Sequence, residues 1–277
     1  MTGQRTSSWW TLWGGLILAW ALFPLLWMLS LSFKDPNTFR SAEPTFFPSS
    51  WVWTNYQTVF SDTLFTSAFR NSVGVALIAT LLSVIVAMFA AYAIARLEFP
   101  GKKFLLSMAL AIAMFPQAAL VGPLFNMWRN LGIYDTWMGL IIPYLTFALP
   151  LSIWTMSAFF RQIPWEMEQA AQVDGATAWQ AFRKVIIPLA APGVFTTAIL
   201  TFFFCWNEFL LAISLTSTDR ARTVPAALSF FTGASQFQSP VTAIMAASVV
   251  VTIPVVILVL AFQRRIVAGL TAGAVKG

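Results

Sequence analysis

The chain has 277 residues, of which 58% are hydrophobic and 9% are charged, whereas ordinary globular domains contain about 25% charged residues. This composition excludes a conventional water-soluble domain, and the absence of histidine excludes Ser-His-Asp catalysis and His-ligated zinc sites. The net charge of +6 comes from residues scattered over short loops, so nucleic acid is not an expected partner.

Six apolar segments are long enough to cross a membrane, since a helix needs about 20 apolar residues to do so. They are predicted at residues 9–33, 71–95, 104–128, 134–160, 185–215 and 240–262. The first follows Arg5, as a signal peptide would, but its apolar stretch is longer than the roughly 7–15 residues of a cleaved signal. We therefore predict an all-α integral membrane protein with six transmembrane helices in a single domain, residues 1–277.

Cations in the loops predict the orientation of these helices. With the N-terminus in the cytoplasm, ten of the 16 Lys and Arg residues are cytoplasmic and six are external. Because cytoplasmic loops are enriched in Lys and Arg, this bias predicts that both termini are cytoplasmic. Prolines interrupt several spans, which indicates either kinks for packing or a bundle around a cavity.

Segment 161–184, RQIPWEMEQAAQVDGATAWQAFRK, is the largest polar interruption on the predicted cytoplasmic side. Pro164 suits the first position of a short helix, and Glu166 and Glu168 suit its positive first turn. Gly175 can end this helix in a left-handed conformation that a side chain would disfavour. The segment therefore predicts a helix followed by a sharp corner.

A second helix is predicted directly after the corner. Thr177 and Gln180 have the spacing of a capping box, and Trp179, Phe182 and Val185 carry an apolar face into the fifth span. A soluble partner can dock on such a corner. An ordinary amphipathic loop is the alternative interpretation.

The stretch QAAQVDGATAWQAFRKVIIPL resembles the EAA loop of bacterial ABC importer permeases, with the pattern E-A-A-x3-G-x9-I-x-L-P. The residues identical to the pattern are Ala170, Ala171, Gly175 and Pro188. Gln169 occupies the usual Glu position, and Glu168, one residue earlier, is an alternative source of the acidic group. In this family the loop docks on the ATP-binding subunit. The resemblance therefore assigns this contact to Glu168, Gln169, Ala170, Ala171, Asp174 and Gly175.

Over about residues 70–277 the chain resembles the MalG-type permeases of carbohydrate importers, including its WNEFLLAISL segment and its ending QRRIVAGLTAGAVKG. This resemblance implies the type I ABC importer permease fold in a bacterial cell membrane. It implies four kinds of partner: a homologous second permease, two copies of an ATP-binding subunit that hold ATP and Mg, an extracytoplasmic solute-binding protein, and membrane lipid. The chain itself is expected to have no catalytic residue, metal or cofactor, and its Gly101-Lys102 lacks the remainder of a P-loop.

Within this family the chain is most similar to the second permease of actinobacterial trehalose importers and then to maltose permeases. This implies an α-linked disaccharide as substrate, while another oligosaccharide or a glycerophosphodiester stays open. Residue types that bind sugars lie near helix breaks at Phe115, Gln117, Asn126, Tyr144 and Asn207, where packing is the alternative role. Glu208 either borders the substrate route or is an interfacial carboxylate near water.

The same resemblance predicts contacts for two further segments. The external loop 216–240 is expected to contact the solute-binding protein through Phe230, Phe231, Gly233 and Gln236, with a solvated connector as the alternative. The tail 269–277 is expected to contact the ATP-binding subunits through Gly269, Gly273 and Lys276. Composition alone predicts a disordered end for this tail.

Two other function classes fit the sequence less well. An ion-coupled carrier usually keeps ionisable residues deep in the membrane, and the spans in 71–128 and 134–160 contain almost none away from their ends. A membrane enzyme would need a metal-ligand cluster, an activated nucleophile or a carboxylate pair, and the sequence shows no such pattern. A permease without its own ATPase activity is therefore the preferred hypothesis.

Overall fold

A computed structural model describes residues 8–36, 45–231 and 240–272 of the protein. The first helices are α1 (Ser8–Ser32), α2 (Thr54–Ser61), α3 (Thr63–Arg96), α4 (Lys102–Ala113), α5 (Gln117–Leu131) and α6 (Trp137–Gln162). They are followed by α7 (Trp165–Val173), α8 (Ala178–Ala181), α9 (Ile187–Asn207), α10 (Leu210–Leu215), α11 (Val224–Leu228) and α12 (Val241–Ala272). Every regular element in these ranges is helical, so the predicted all-α fold is confirmed.

Five helical segments of the described chain are long and apolar enough to cross a membrane. They are Trp9–Ser32, Thr63–Arg96, Trp137–Gln162, Ala178–Asn207 and Val241–Gln263. α4 and α5 supply a sixth crossing when they are taken together as one bent segment. The structure therefore agrees with a multi-pass membrane protein.

The third predicted span, residues 104–128, differs from the prediction because it is broken. The axes of α4 and α5 differ by 86°. Pro116 lies at the break in an extended conformation, with φ −66° and ψ 116°. Proline has no N–H to donate and disfavours the helical conformation in the residue before it, so one straight helix cannot pass through this position.

The fifth predicted span, residues 185–215, is also interrupted. Its helix starts earlier, with α8, and reaches α9 through a π-helical turn, Phe182–Ile186. Pro188 leaves the carbonyl of Lys184 without its usual helical donor, which favours this local widening of the helix. At the other end, Glu208 is extended with ψ 125°, so α9 stops before α10 begins.

The chain divides into two compact units, and the single domain expected for residues 1–277 stays a prediction. Residues 1–66 and 228–254 form the first unit, and residues 67–227 and 255–277 form the second. In the first unit, the buried Asn55 side chain donates to the carbonyls of Ser32 and Lys34, both at 2.8 Å. The hydroxyl of Thr242 donates to the amide oxygen of Asn55 at 3.0 Å. One buried amide therefore joins α1, α2 and α12 within this unit.

The core of the second unit lies between α3, α6 and α9. Alanines let α3 pack closely there, and the buried ones are Ala68, Ala76, Ala79, Ala87 and Ala91. At the centre, the Ser152 hydroxyl lies 3.1 Å from that of Ser83 and 2.8 Å from that of Thr201. These hydroxyls satisfy one another across three helices, as polar groups must where lipid replaces water.

At one end of the second unit, hydrogen bonds close loop 216–223 onto α3 and α6. The buried Asn71 side chain donates to two loop carbonyls at 2.9 and 3.0 Å and accepts from the Trp137 indole at 3.1 Å. Asp135 accepts two loop backbone N–H groups at 2.9 and 3.2 Å. We call this arrangement the loop closure.

Candidate functional site

The predicted corner is present in segment 161–184. The N–H of Gly175 donates to the carbonyl of Gln172 at 3.0 Å, and that of Ala176 donates to the carbonyl of Ala171 at 2.9 Å. These two bonds form a Schellman motif, in which the residue after the helix is left-handed. Gly175 has φ 86°, so the prediction that this glycine ends α7 is confirmed.

The predicted capping box is also present. The Thr177 N–H donates to the side-chain oxygen of Gln180 at 2.9 Å, and the Gln180 N–H donates to the Thr177 hydroxyl at 3.3 Å. The two side chains satisfy backbone donors that the first turn of α8 would leave open. Because α8 continues into α9, the corner is rigidly joined to a membrane-crossing helix. Pro164 lies one residue before α7 and not at its first position.

Glu168 is buried, which corrects its assignment as a contact with a partner. Its side chain and that of Arg96 are each 5% exposed, and the two groups form an ion pair with a distance of 3.8 Å between Arg96 Nε and Glu168 Oε2. The other carboxylate oxygen accepts a hydrogen bond from the Tyr92 hydroxyl. Neighbouring residues on a helix point about 100° apart, so Gln169 is exposed while Glu168 faces α3.

Arg96 connects α7 to two membrane helices. It is the last residue of α3, and its Nη2 donates to the carbonyl of Ile163, just after α6, at 2.7 Å. Its guanidinium carbon also lies 5.0 Å from the centre of the Trp165 ring at the start of α7. We call Tyr92, Arg96 and Glu168 the anchor. An apolar cluster packs beside it, formed by Val84, Ala91, Met156, Phe160, Phe182, Ile186 and Ala190.

The outward face of the corner is accessible. We define the corner surface by its exposed residues, which are Met167, Gln169, Ala170, Val173, Asp174 and Gly175. Val173 is 87% exposed, and Ala171 is partly buried beside this surface. Exposed apolar groups rimmed by polar ones are typical of protein contacts. The corner thus combines a fixed inner side with an open outer side.

The residues predicted along a substrate route lie on separate elements. Phe115 and Gln117 flank the bend between α4 and α5, and Asn126 is exposed on α5. Asn207 is exposed at the end of α9, where its side chain donates to the carbonyl of Phe203 at 2.8 Å. These four residues are at least partly accessible.

Tyr144 and Glu208 are buried, which contradicts the interpretation of Glu208 as an interfacial carboxylate near water. The side chain of Tyr144 is fully buried in α6, and Glu208 is 7% exposed. The Glu208 carboxylate accepts the N–H groups of Leu211 at 2.8 Å and Ala212 at 3.0 Å. The Glu208 carboxylate therefore lies away from the surface of this chain, and its place beside a substrate route stays a prediction. It opens α10, where the positive helix end stabilises a carboxylate.

The external loop and the tail are only partly described. Phe230 is exposed, whereas Phe231 is only 5% exposed, and contact of these residues with a binding protein stays a prediction. Gly233 and Gln236 lie outside the described residues. α12 extends to Ala272 and includes Gly269, so the start of the tail is helical and not a disordered end. Gly273 and Lys276 also lie outside the described residues.

Tyr92 and Arg96 hold the inner side of the corner, and the sequence did not single them out for this contact. In the sequence, Arg96 contributes only to the number of cytoplasmic cations that predicts the orientation of the helices. The available signal was their spacing of four residues, which puts both side chains on one face at the end of an apolar helix. No local pattern indicates that Glu168 is their partner, because Tyr92 lies 76 positions earlier in the chain.

Comparison with known proteins places these features in a family. The family of the binding-protein-dependent transport system inner membrane component matches residues 79–271 of the chain. This match covers the anchor, the corner surface and most of the membrane-crossing helices.

Two relatives and one solved structure extend the match to nearly the whole chain. The trehalose transport system permease protein SugB of Mycobacterium tuberculosis (strain CDC 1551 / Oshkosh) is 54% identical over 275 residues, 99% of this chain and 100% of that protein. The trehalose/maltose transport system permease protein MalG of Thermococcus litoralis is 42% identical over 258 residues, 92% of each chain. A chain of a bacterial ABC transporter involved in the import of the acidic polysaccharide alginate has a similar fold. Its TM-score is 0.79 at 24% identity, over 95% of this chain and 99% of that chain.

Proposed function

Because the chain belongs to the family of binding-protein-dependent transport system inner membrane components, we propose that it is the permease subunit of an ATP-driven importer of an α-linked disaccharide. Trehalose is the first candidate and maltose the second, since relatives with 54% and 42% identity are named for trehalose and for trehalose/maltose transport. Another oligosaccharide or a glycerophosphodiester is the alternative cargo.

The observation that carries this proposal is the exposed corner surface fixed to membrane helices by the anchor. Gln169, Ala170 and Asp174 face outward for a soluble partner, while Glu168 holds α7 against Arg96 on the opposite side. The Arg96 guanidinium also reaches the Ile163 carbonyl at the end of α6. A displacement of the corner surface is therefore passed to α3 and α6 and is not absorbed by bending of α7.

In the proposed cycle, the partner that moves the corner is an ATP-binding subunit. ATP and Mg are held by two copies of this subunit, and the chain has no ATPase activity of its own. ATP-driven closure favours the outward-open bundle and hydrolysis favours the inward-open bundle, so cargo moves because the nucleotide states stabilise different conformations. Ala171 and Gly175 supply the small side chains that let the corner seat closely against this partner.

The other partners follow from the same family membership. A homologous second permease completes the membrane bundle, and an extracytoplasmic solute-binding protein delivers the sugar beside the external loop that contains Phe230. Both termini are cytoplasmic. This orientation puts most of the loop Lys and Arg residues on the cytoplasmic side, as is usual in membrane proteins. The tail 269–277 contacts the ATP-binding subunits through Gly269, Gly273 and Lys276.

Reconstitution tests the proposal. The chain, its partner permease and the ATP-binding subunits are placed in lipid vesicles with the solute-binding protein, and uptake of labelled trehalose, maltose and a glycerophosphodiester is measured. We expect uptake of trehalose that requires ATP and the binding protein. Uptake driven by a proton or sodium gradient without ATP would contradict the importer assignment. ATP-dependent uptake of the glycerophosphodiester alone would overturn only the cargo.

A further inference from the structure

A basic pocket lies where the ends of three apolar helices meet in the second unit. α3 ends at Arg96, α4 begins at Lys102 and α6 ends at Gln162. The pocket has a volume of about 280 Å³ and is lined by Ile94, Ala95, Lys102, Lys103, Leu106 and Arg161. Because it forms at the ends of candidate membrane-crossing helices, it lies at the boundary between lipid and water.

The positive charge of this pocket exceeds its negative charge. Lys102 donates to the Glu98 carboxylate at 2.7 Å. Neither Lys103 nor Arg161 has a carboxylate partner within the ranges that the structure describes. The first turn of α4 adds backbone N–H groups without helical acceptors, because the bond from Leu105 to the carbonyl of Gly101 is the first of this helix. The pocket therefore favours an anion.

The walls of the pocket are apolar, and its size suits a headgroup. Ile94, Ala95 and Leu106 line it beside the cations. Outside it, α4 has no buried residue, and its Phe104 and Leu105 side chains are exposed. Pockets for whole drug-sized ligands have volumes of about 300–1,000 Å³, so this one is too small for a complete diacyl lipid. An ion that is fully hydrated would gain nothing from the apolar wall.

We propose that the basic pocket binds the headgroup of an anionic phospholipid. The phosphodiester is held between Lys103 and Arg161, and the acyl chains extend along the exposed apolar side of α4. Basic pockets between membrane helices recognise such headgroups through the same combination of charge and apolar surface. The site is independent of the transported sugar and of the corner surface.

Titration of the full chain in nanodiscs tests this site. The probes are short-chain phosphatidylglycerol, short-chain phosphatidylcholine and inorganic phosphate, and native mass spectrometry counts the bound molecules. The variant K103Q/R161Q removes the two unpaired cations of the pocket. The control R129Q/R220Q removes two other exposed cations, with the same change in net charge. Circular dichroism of both variants verifies that the helices remain folded.

We expect one molecule of phosphatidylglycerol to bind to each chain. Its affinity should be the same for the unmodified chain and for the control R129Q/R220Q. Each cation near an anionic lipid contributes about fivefold to affinity, so K103Q/R161Q should bind about 25-fold more weakly. Equal binding of phosphatidylglycerol to K103Q/R161Q and to the control would overturn the site. Equal binding of phosphatidylcholine to the unmodified chain would overturn its charge selectivity. Binding of inorganic phosphate as tight as that of phosphatidylglycerol would show a free-anion site and overturn the lipid assignment.

Discussion

The anchor and the loop closure hold the same helices, α3 and α6, by different chemistry. In the anchor, Arg96 and Glu168 form a buried ion pair at 3.8 Å, and the adjoining corner surface is open. In the loop closure, Asn71 and Asp135 bind backbone groups of loop 216–223 through hydrogen bonds of 2.9 to 3.2 Å. The anchor therefore adds an ion pair between α7 and α3 to its hydrogen bonds, whereas the loop closure uses hydrogen bonds alone.

This difference indicates which end can transmit movement. Coulomb attraction depends only weakly on angle, so an ion pair keeps α7 attached to α3 while the elements shift slightly. Hydrogen bonds weaken steeply when their angles change. We therefore expect the corner to move together with α3 and α6, and the closed loop to keep its shape. Five variants test this contrast.

The largest effect is expected from Glu168→Ala. It leaves the Arg96 guanidinium buried without its carboxylate, which destabilises a protein by about 3–5 kcal/mol. Thermal unfolding in detergent measures the loss, and uptake by the reconstituted complex should disappear. Glu166→Ala is the matched control, because Glu166 is exposed on the same helix and its loss should change stability by less than about 0.5 kcal/mol. Equal melting temperatures for the two variants would refute the anchor.

The double variant R96M/E168M separates positioning from stability in the same anchor. Replacing both partners of a buried ion pair by apolar residues is often close to neutral for stability. We expect this variant to assemble and hydrolyse ATP while uptake per ATP falls. If uptake per ATP stays normal, the ion pair has no positioning role and contributes only to folding.

Asn71→Ala should have the next largest effect, at the opposite end of the comparison. It leaves two loop carbonyls and the Trp137 indole N–H without their partner, and each unsatisfied buried group costs about 1–3 kcal/mol. Hydrogen exchange should become faster in loop 216–223 and stay unchanged in α7. Asn207→Ala removes an exposed amide and serves as the control. Faster exchange in α7 as well would contradict the separation of the two ends.

Gly175→Val tests the corner through its backbone alone. A Cβ atom added at Gly175 meets no atom within 4 Å, so the strain of a substitution arises from the φ of 86° at this position. A left-handed conformation costs a non-glycine residue about 1–2 kcal/mol. We expect loss of uptake with normal membrane insertion, and a milder defect for Gly175→Asn, because asparagine tolerates this conformation better. Normal uptake by Gly175→Val at normal expression would remove the docking role of the corner.

Thr177→Ala should have the smallest effect of the five variants. It removes the hydroxyl that accepts the Gln180 N–H, and loss of such a cap costs about 1 kcal/mol. We expect a small drop in melting temperature and a modest fall in uptake, with Thr177→Ser restoring both. A defect as large as that of Glu168→Ala would mean that the capping box, and not the anchor, sets the position of the corner.

The sequence predicts most of the corner because its determinants are local. The left-handed Gly175, the capping box of Thr177 and Gln180, and the apolar runs depend on residues a few positions apart. Helix breaks near Phe115, Gln117 and Asn207 were expected, but the 86° bend at Pro116 and the end of α9 at Glu208 were not. Apolar length alone cannot distinguish a straight span from two shorter helices, and the prolines in these spans permitted both kinks and continuous packing.

The amino-acid sequence by itself determined a helical membrane protein, its approximate spans and the presence of an exposed corner, because lipid burial and helix ends follow from short-range composition. Only the tertiary structure decided that Glu168 faces Arg96 and Tyr92, that Glu208 is a buried helix cap, and that the side chain of Phe231 is buried. The direction of a side chain depends on what a distant helix offers it. A buried carboxylate needs a cation or N–H donors to offset its desolvation, and the fold alone brings those groups together.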